Sequence, residues 1–224
     1  MNNSNTGNTY IRQTGLVDPI RLDIPISIIG AGGIGSWTAL ALLKMGCSNV
    51  TVYDFDTVEE HNLGSQIYTH TDIGELKVEA LKSKLSLLTS TQIHTATANV
   101  NTMNMIPTTS IVILAVDNID TRKQVFEALE GTNCVLIDGR MAGNAIEIYT
   151  VKPDDPTSVK AYQDTLFEAS EALPIPCSER AVVYNCFVMS GLITDLVGKY
   201  SNHEVLPKQL IVDLKNLLMY GGLE

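Results

Sequence analysis

Ile24-Pro-Ile-Ser-Ile-Ile-Gly-Ala-Gly-Gly-Ile-Gly35 and the segment that follows it decide the fold. An apolar, β-branched run ends in glycines. It passes into Ser36-Trp-Thr-Ala-Leu-Ala-Leu-Leu-Lys44, which has a helical pattern. Strand, glycine turn and helix in this order build a Rossmann-type nucleotide site. Gly30 permits the tight turn, Gly32 lets a phosphate or ribose approach the backbone, and Gly35 lets helix and strand pack closely. The helix start then offers free N–H groups and partial positive charge. Asn49-Val-Thr-Val-Tyr-Asp54 reads as a second strand ending in an acid, which can accept both ribose hydroxyls. Many dehydrogenases carry this much, so a nicotinamide-dependent oxidoreductase fits Gly30–Asp54 equally well.

The continuation is more specific. It reads Asp54-Phe-Asp56-Thr-Val-Glu-Glu-His-Asn62-Leu63-Gly-Ser65-Gln66, then Asp72-Ile-Gly74-Glu-Leu-Lys77. This resembles the ThiF/MoeB/HesA superfamily of ubiquitin-activating-enzyme-like adenylyltransferases. Members of that superfamily read Asp-x-Asp-x-Val, Asn-Leu-x-Arg-Gln and Gly-x-x-Lys. Two departures stand out. Ser65 occupies the place of the family arginine, for which Arg140 and Arg180 are the candidate replacements. None of the four cysteines (Cys47, Cys134, Cys177, Cys186) forms a Cys-x-x-Cys pair, so a zinc module is not expected.

The totals bound the rest. The 224 residues suit one α/β domain with a substantial core, residues 1–9 forming a frayed tail. A net charge of −10 and a sequence pI of about 4.8 argue against a nucleic-acid surface, which needs clustered positive charge. Free thiols and a polar start without a leader point to the cytoplasm. The uncharged stretch Ile26–Leu43 is long enough to suggest a membrane span. Its four glycines and the strand-then-helix order instead favour a buried βα unit, and no membrane contact is expected.

Further along, Gly74–Leu88 reads as a one-faced helix and Thr91–Val100 as a strand. Ser110–Val116 reads as a buried parallel strand followed by a helix to Leu129. Asn133–Asp138 reads as a strand, Gly139–Gly143 as a turn and Ala145–Val151 as a strand. Residues 152–180 form a long crossover with one helix near Val159–Leu173, and Ala181–Lys199 and Pro207–Tyr220 read as helices. The expected fold is a Rossmann-like, doubly wound, mostly parallel sheet. Helices cover both its faces, and it carries a C-terminal antiparallel extension.

The resemblance implies a chemistry. A carboxylate reacts with a weak nucleophile only after gaining a good leaving group, and joining it to AMP supplies one. Such a site positions Mg·ATP and neutralises charge moving onto pyrophosphate. The resemblance implies that Gly30, Gly32, Gly35, Asp54, Asp56, Asn62, Gln66, Lys77, Asp117 and Asn118 bind ATP. Asp117 would hold Mg²⁺, with Arg122 later in the same motif. Arg12, in Tyr10-Ile-Arg12-Gln13, would reach a partner protomer's ATP in trans across a homodimer. Cys177, in Pro174-Ile-Pro-Cys177, would accept the acyl group. The implied substrate is the C-terminus of a ubiquitin-like protein or a peptide.

Each residue also has a plain structural alternative. Arg12 reads equally as a surface residue, Lys77 as a solvated helix lysine and Asn62 as a turn residue. Asp56 reads as a cap, Asp117 or Asp120 as a helix N-cap, Cys177 as an inert loop thiol and Cys186 as packing. A non-catalytic homologue serving as a binding partner is the third reading, favoured by Ser65 and the small size.

Overall fold

The computed structural model describes residues 9–98, 109–166 and 182–222. Eight strands form one sheet in the order β3-β2-β1-β4-β5-β6-β7-β8. The strands are β1 (Ile26–Ile29), β2 (Val50–Tyr53), β3 (His94–Ala96), β4 (Ile111–Leu114), β5 (Val135–Ala142), β6 (Ala145–Val151), β7 (Gln209–Asp213) and β8 (Leu218–Gly222). The first five run parallel, while β6, β7 and β8 pair antiparallel. The α-helices among the described residues are α1 (Gly33–Met45), α2 (Lys77–Leu88), α3 (Ile119–Leu129), α4 (Pro156–Gln163) and α5 (Val183–Ser201).

Two apolar layers explain the winding. Ile26, Ile28, Val50, Val52, Ile111 and Ile113 face α1, α2 and α5. Val112, Leu114 and Leu136 face α3 and α4 through Val125, Phe126 and Tyr162. Strands buried on both faces read as continuous apolar runs: β4 does so, and β1 does so but for the buried Ser27. The sheet order reverses between β1 and β4, and such a crevice at the carboxyl ends of the strands is where open α/β sheets bind ligands. The uncharged run Ile26–Leu43 is β1 and most of α1. No helix among the described residues is long and apolar enough to cross a membrane.

Several expectations need correction. Pro207–Tyr220 is not a helix but the hairpin β7–β8. Its turn is set by Asp213, whose Oδ1 accepts the N–H of Lys215 and of Asn216, and by Leu217 at φ 56°. Gly139–Gly143 is not a turn: β5 runs on to Ala142, and only Gly143-Asn144 separates it from β6. Gly139 is a glycine because α5 lies against the strand there. A Cβ at Gly139 would sit 3.1 Å from Met189 Sδ. The crossover helix begins earlier than Val159, since Asp155 caps it and Pro156 fixes its first turn. Residues 167–181, with the rest of that predicted helix, lie outside the described residues, as do 1–8 and 99–108.

Candidate functional site

The glycine turn is held from below. Asp54 Oδ2 accepts the N–H of Ala31 at 2.6 Å, and Asp54 Oδ1 accepts the N–H of Asp56 at 2.8 Å. Burial pushes the Asp54 carboxyl above the usual carboxylate range, against the pull of these two N–H groups and of Lys77. Each oxygen keeps acceptor capacity beyond the bond described. Next, Asp56 Oδ2 pairs with Lys77 Nζ at 2.8 Å. The Lys77 side chain is buried while Asp56 is half exposed, so the pair links the interior to the surface. Tyr68 closes the circuit. Its buried hydroxyl lies 2.7 Å from the Ala31 carbonyl oxygen and 3.2 Å from that of Lys77. Its role was not legible in the sequence, where it is an aromatic residue of no known motif.

The glycines leave room where a ligand needs it. A Cβ on Gly32 would meet only Gln66 Nε2, at 3.9 Å, so the backbone there is open. Gln66 Oε1 is buried with no hydrogen-bond partner. An orphaned acceptor beside an open glycine backbone suits a ligand that brings hydroxyl donors. Asn62 differs from expectation. It is buried, and its Oδ1 accepts the Glu59 N–H at 2.9 Å in a capping box, so this oxygen shapes the loop that carries Gln66. The Ser65 carbonyl accepts from Trp37 Nε1 at 2.9 Å, which ties the same loop to α1.

Asp117 is exposed just beyond β4, two residues after Ala115, whose carbonyl oxygen packs under Gly30. The helix cap is neither Asp117 nor Asp120 but Asn118, whose Oδ1 accepts the N–H groups of Asp120 (2.8 Å) and Thr121 (3.2 Å). Asn118 Oδ1 is thereby occupied, and Asp117 is left clear of helix capping. Among the described residues no three His, Cys, Asp or Glu side chains gather as a metal cage. A hard divalent ion at Asp117 would draw its other ligands from phosphate and water, which suits Mg²⁺. Arg122 does not face this loop's surface. It is buried and ion-paired with Asp138.

The other candidates fall elsewhere. Arg140 does not replace the family arginine: its Nε donates to Asp138 at 2.7 Å, and NH1 and NH2 donate to Thr165 at 3.0 and 3.1 Å. Arg180 and Cys177 lie outside the described residues. Cys186 is packing: its Sγ lies 2.9 Å from where a Gly33 Cβ would stand, and burial pushes its thiol up to about 11. Arg12 is exposed in an arm whose neighbours pack at the far end of α1. Gln13 Nε2 donates to the Met45 carbonyl at 2.5 Å, and the Tyr10 ring lies against Gly46. A helix of 13 residues is about 20 Å long, so Arg12 sits about that far from its own glycine turn.

The ThiF family model matches residues 22–217. The chain belongs to the ThiF family. Among its curated relatives, the adenylyltransferase and sulfurtransferase MOCS3 of Aedes aegypti is 32% identical over 130 residues, 55% of this chain and 28% of that protein. The molybdopterin-synthase adenylyltransferase of Haemophilus influenzae is 32% identical over 139 residues, 58% of this chain and 56% of that one. The ubiquitin-like modifier-activating enzyme 5 of Drosophila virilis is 28% identical over 151 residues, 59% of this chain and 38% of that one. The chain thus spans between 28% and 56% of the length of these ThiF relatives. Among solved structures, Escherichia coli MccB with ATP superposes at a TM-score of 0.78 with 18% identity, covering 96% of this chain and 70% of MccB. PaaA superposes at 0.77 with 19% identity, covering 99% of this chain and 84% of that one. At such identities these two show a shared fold.

Proposed function

We propose that the chain is an ATP-dependent adenylyltransferase that activates a carboxylate, the C-terminus of a ubiquitin-like protein or peptide, as an acyl-adenylate. The observation that carries this reading is the linked set Ala31–Asp54–Asp56–Lys77. It joins the glycine turn to the start of α2 by three contacts of 2.6 to 2.8 Å. A dehydrogenase needs Asp54 but has no use for Lys77 at that place. The named adenylyltransferase relatives support the same class, and the MccB complexes with the MccA peptide support a peptide-like acceptor.

In this mechanism Asp54 accepts the ribose hydroxyls, and the open backbone at Gly32 with the α1 N-terminus receives the phosphates. Gln66 turns its unpartnered oxygen to a ribose hydroxyl. Lys77 is shared between Asp56 and the phosphates as a point charge. Asp117 would hold Mg²⁺, which when bound neutralises charge on the departing pyrophosphate. A carboxylate oxygen of the acceptor attacks the α-phosphorus in line. The P–O bond to the β-phosphate breaks, and its electron pair leaves with pyrophosphate. The residues do this by holding the two reactants in place and by charge, with no covalent step on the chain itself. ATP–pyrophosphate exchange driven by a candidate acceptor tests the proposal.

The active form is a homodimer with composite sites. Arg12 lies in an arm that packs at the far end of α1, away from its own glycine turn, so its guanidinium acts on the partner's ATP and supplies charge that Ser65 lacks. The check is complementation of two inactive variants. An Arg12→Ala protomer mixed with a Lys77→Ala protomer is expected to regain activity, because one of the two composite sites then has both residues. A mixture that stays inactive would place Arg12 in cis, and an Arg12→Ala chain active on its own would place Arg12 outside the reaction.

Cys177 is proposed as the acyl acceptor after adenylation: its thiolate attacks the acyl carbon, the bond from that carbon to the AMP oxygen breaks, and AMP leaves with the electron pair. Cys177→Ala is expected to leave pyrophosphate exchange unchanged and to remove any thiol-sensitive adduct between chain and acceptor, read by mass spectrometry. An adduct persisting in that variant would assign the step to another group. One observation favours a non-catalytic homologue instead: each of the three guanidinium nitrogens of Arg140, the described candidate to replace the family arginine, donates to Asp138 or Thr165. Absence of exchange with every acceptor, in a chain that still binds ATP, would support that second reading.

A further inference from the structure

Asp138 is fully buried opposite Leu114, the last residue of β4, and donors from three elements close on its carboxylate. Arg122 of α3 pairs with Oδ1. Arg140 of β5 and the Tyr162 hydroxyl of α4 donate to Oδ2, at 2.7 and 2.9 Å. Both arginines also reach outward. Arg122 donates to the carbonyl oxygen of Val116 and, at 3.2 Å, to that of Gly139. Arg140 donates to the Thr165 carbonyl at 3.0 Å, and its guanidinium lies 4.4 Å from the centre of the Tyr149 ring. Val116 immediately precedes Asp117, and Thr165 follows α4. One carboxylate therefore joins the β4–α3 loop to the end of α4.

Such a cluster is poorly explained by stability. Removing two guanidinium groups and a carboxylate from water is costly, and well-packed apolar side chains of the same volume often serve as well or better. What a fully satisfied buried network supplies is a fixed geometry. Burial, then the neighbouring Arg140, lowers Arg122 to about 10, so it keeps its charge at neutral pH.

We propose that Asp138 is a positioning residue that, through Arg122, fixes the Val116 carbonyl and hence the direction of Asp117, and through Arg140 ties that direction to the end of α4. The inference rests on the reading of Asp117 as the magnesium ligand. It assigns Asp138 the task of orienting that ligand from behind.

The chain of 224 residues tests it with ATP, in excess Mg²⁺ or in EDTA, as the probe. Trp37, the single tryptophan, is bonded to the loop that carries Gln66 and reports binding by its fluorescence. Magnesium is expected to tighten ATP binding to the wild-type chain. Asp138→Asn removes the shared charge. Arg122→Lys keeps a charge but loses the fork between Asp138 and Val116. Each is expected to cut the magnesium enhancement by about tenfold or more, the usual cost of removing a group that orients a metal ligand. Affinity in EDTA should stay within about twofold of wild type. Phe126→Leu, which trims the ring packed edge-on against Tyr162 but removes none of the cluster's hydrogen bonds, should lower the melting temperature and leave the enhancement intact.

An unchanged enhancement in Asp138→Asn, despite a lower melting temperature, would reduce the cluster to scaffolding and overturn the proposal. Should Asp138→Asn fail to fold, Arg122→Lys decides in the same way. A wild-type chain that binds no ATP would bring down the nucleotide reading, and one that binds ATP equally in EDTA would bring down the reading of Asp117 as the magnesium ligand. Either result is separable, because it is read before any variant is made.

Discussion

Gly35→Ala is expected to lose ATP binding and to lower stability by at least about 3 kcal/mol, the upper part of the range for overpacking a tight site. A Cβ there would stand 1.8 Å from the Gly30 carbonyl oxygen and 2.9 Å from its carbonyl carbon. Both obstacles are backbone, so no side chain can swing aside. Relief would need the glycine turn to open, which would pull Ala31 from Asp54. In a chain of this size such a loss lowers the melting temperature by roughly 6 °C or more. Gly32→Ala is the contrasting case. Its φ of −78° suits any residue, and its nearest neighbour is 3.9 Å away, so the fold should hold while the methyl group stands where the ligand must approach. Calorimetry and ATP titration on the two variants separate these outcomes. A Gly35→Ala chain that melts like wild type would refute the close approach of α1 to the turn.

Lys77→Met is expected to reduce pyrophosphate exchange by about 100-fold to 1,000-fold, the usual cost of removing one preorganised group that stabilises transition-state charge. Methionine keeps the buried stem, so the packing at the start of α2 persists. The lost ion pair is small in stability terms, because Asp56 is half exposed and water replaces the ammonium. Asp117→Ala should behave likewise, since Asp117 is exposed. Folded Lys77→Met with wild-type exchange rates would remove Lys77 from the site.

The sequence was most legible where chemistry and local backbone need coincide. The run Ile26–Gly35 could be little other than a strand, a turn and a helix, because apolar periodicity, glycine placement and helix start agree. It was least legible where one residue type serves two ends. Gly139 reads as a turn glycine, and its use to admit α5 is a tertiary matter that no local pattern carries. Gln209–Asp213 alternates over too few residues to oppose the helical spacing of the leucines that follow. The Leu217 backbone shows that the chain turns there. In the site, Asp54, Asp56 and Lys77 were readable from motif spacing, and the structure brings them together. Asn118 and Arg122 belong to the same motif as Asp117, but their side chains point to a helix cap and to Asp138. Motif membership gives proximity in the chain, whereas direction comes from packing. Tyr68 had no signal, since its task is to bond two carbonyl groups that meet only in the fold.

The most direct test is the pair of products made from ATP. The purified chain, Mg·ATP labelled on the α-phosphate, and an acceptor protein or peptide with a free C-terminal carboxylate are incubated together and the nucleotides separated. The account predicts AMP and the acyl-adenylate with pyrophosphate as the other product, dependent on Lys77 and on the acceptor's free carboxylate. Release of ADP and phosphate, or tight binding of NADH with no consumption of ATP, would contradict it.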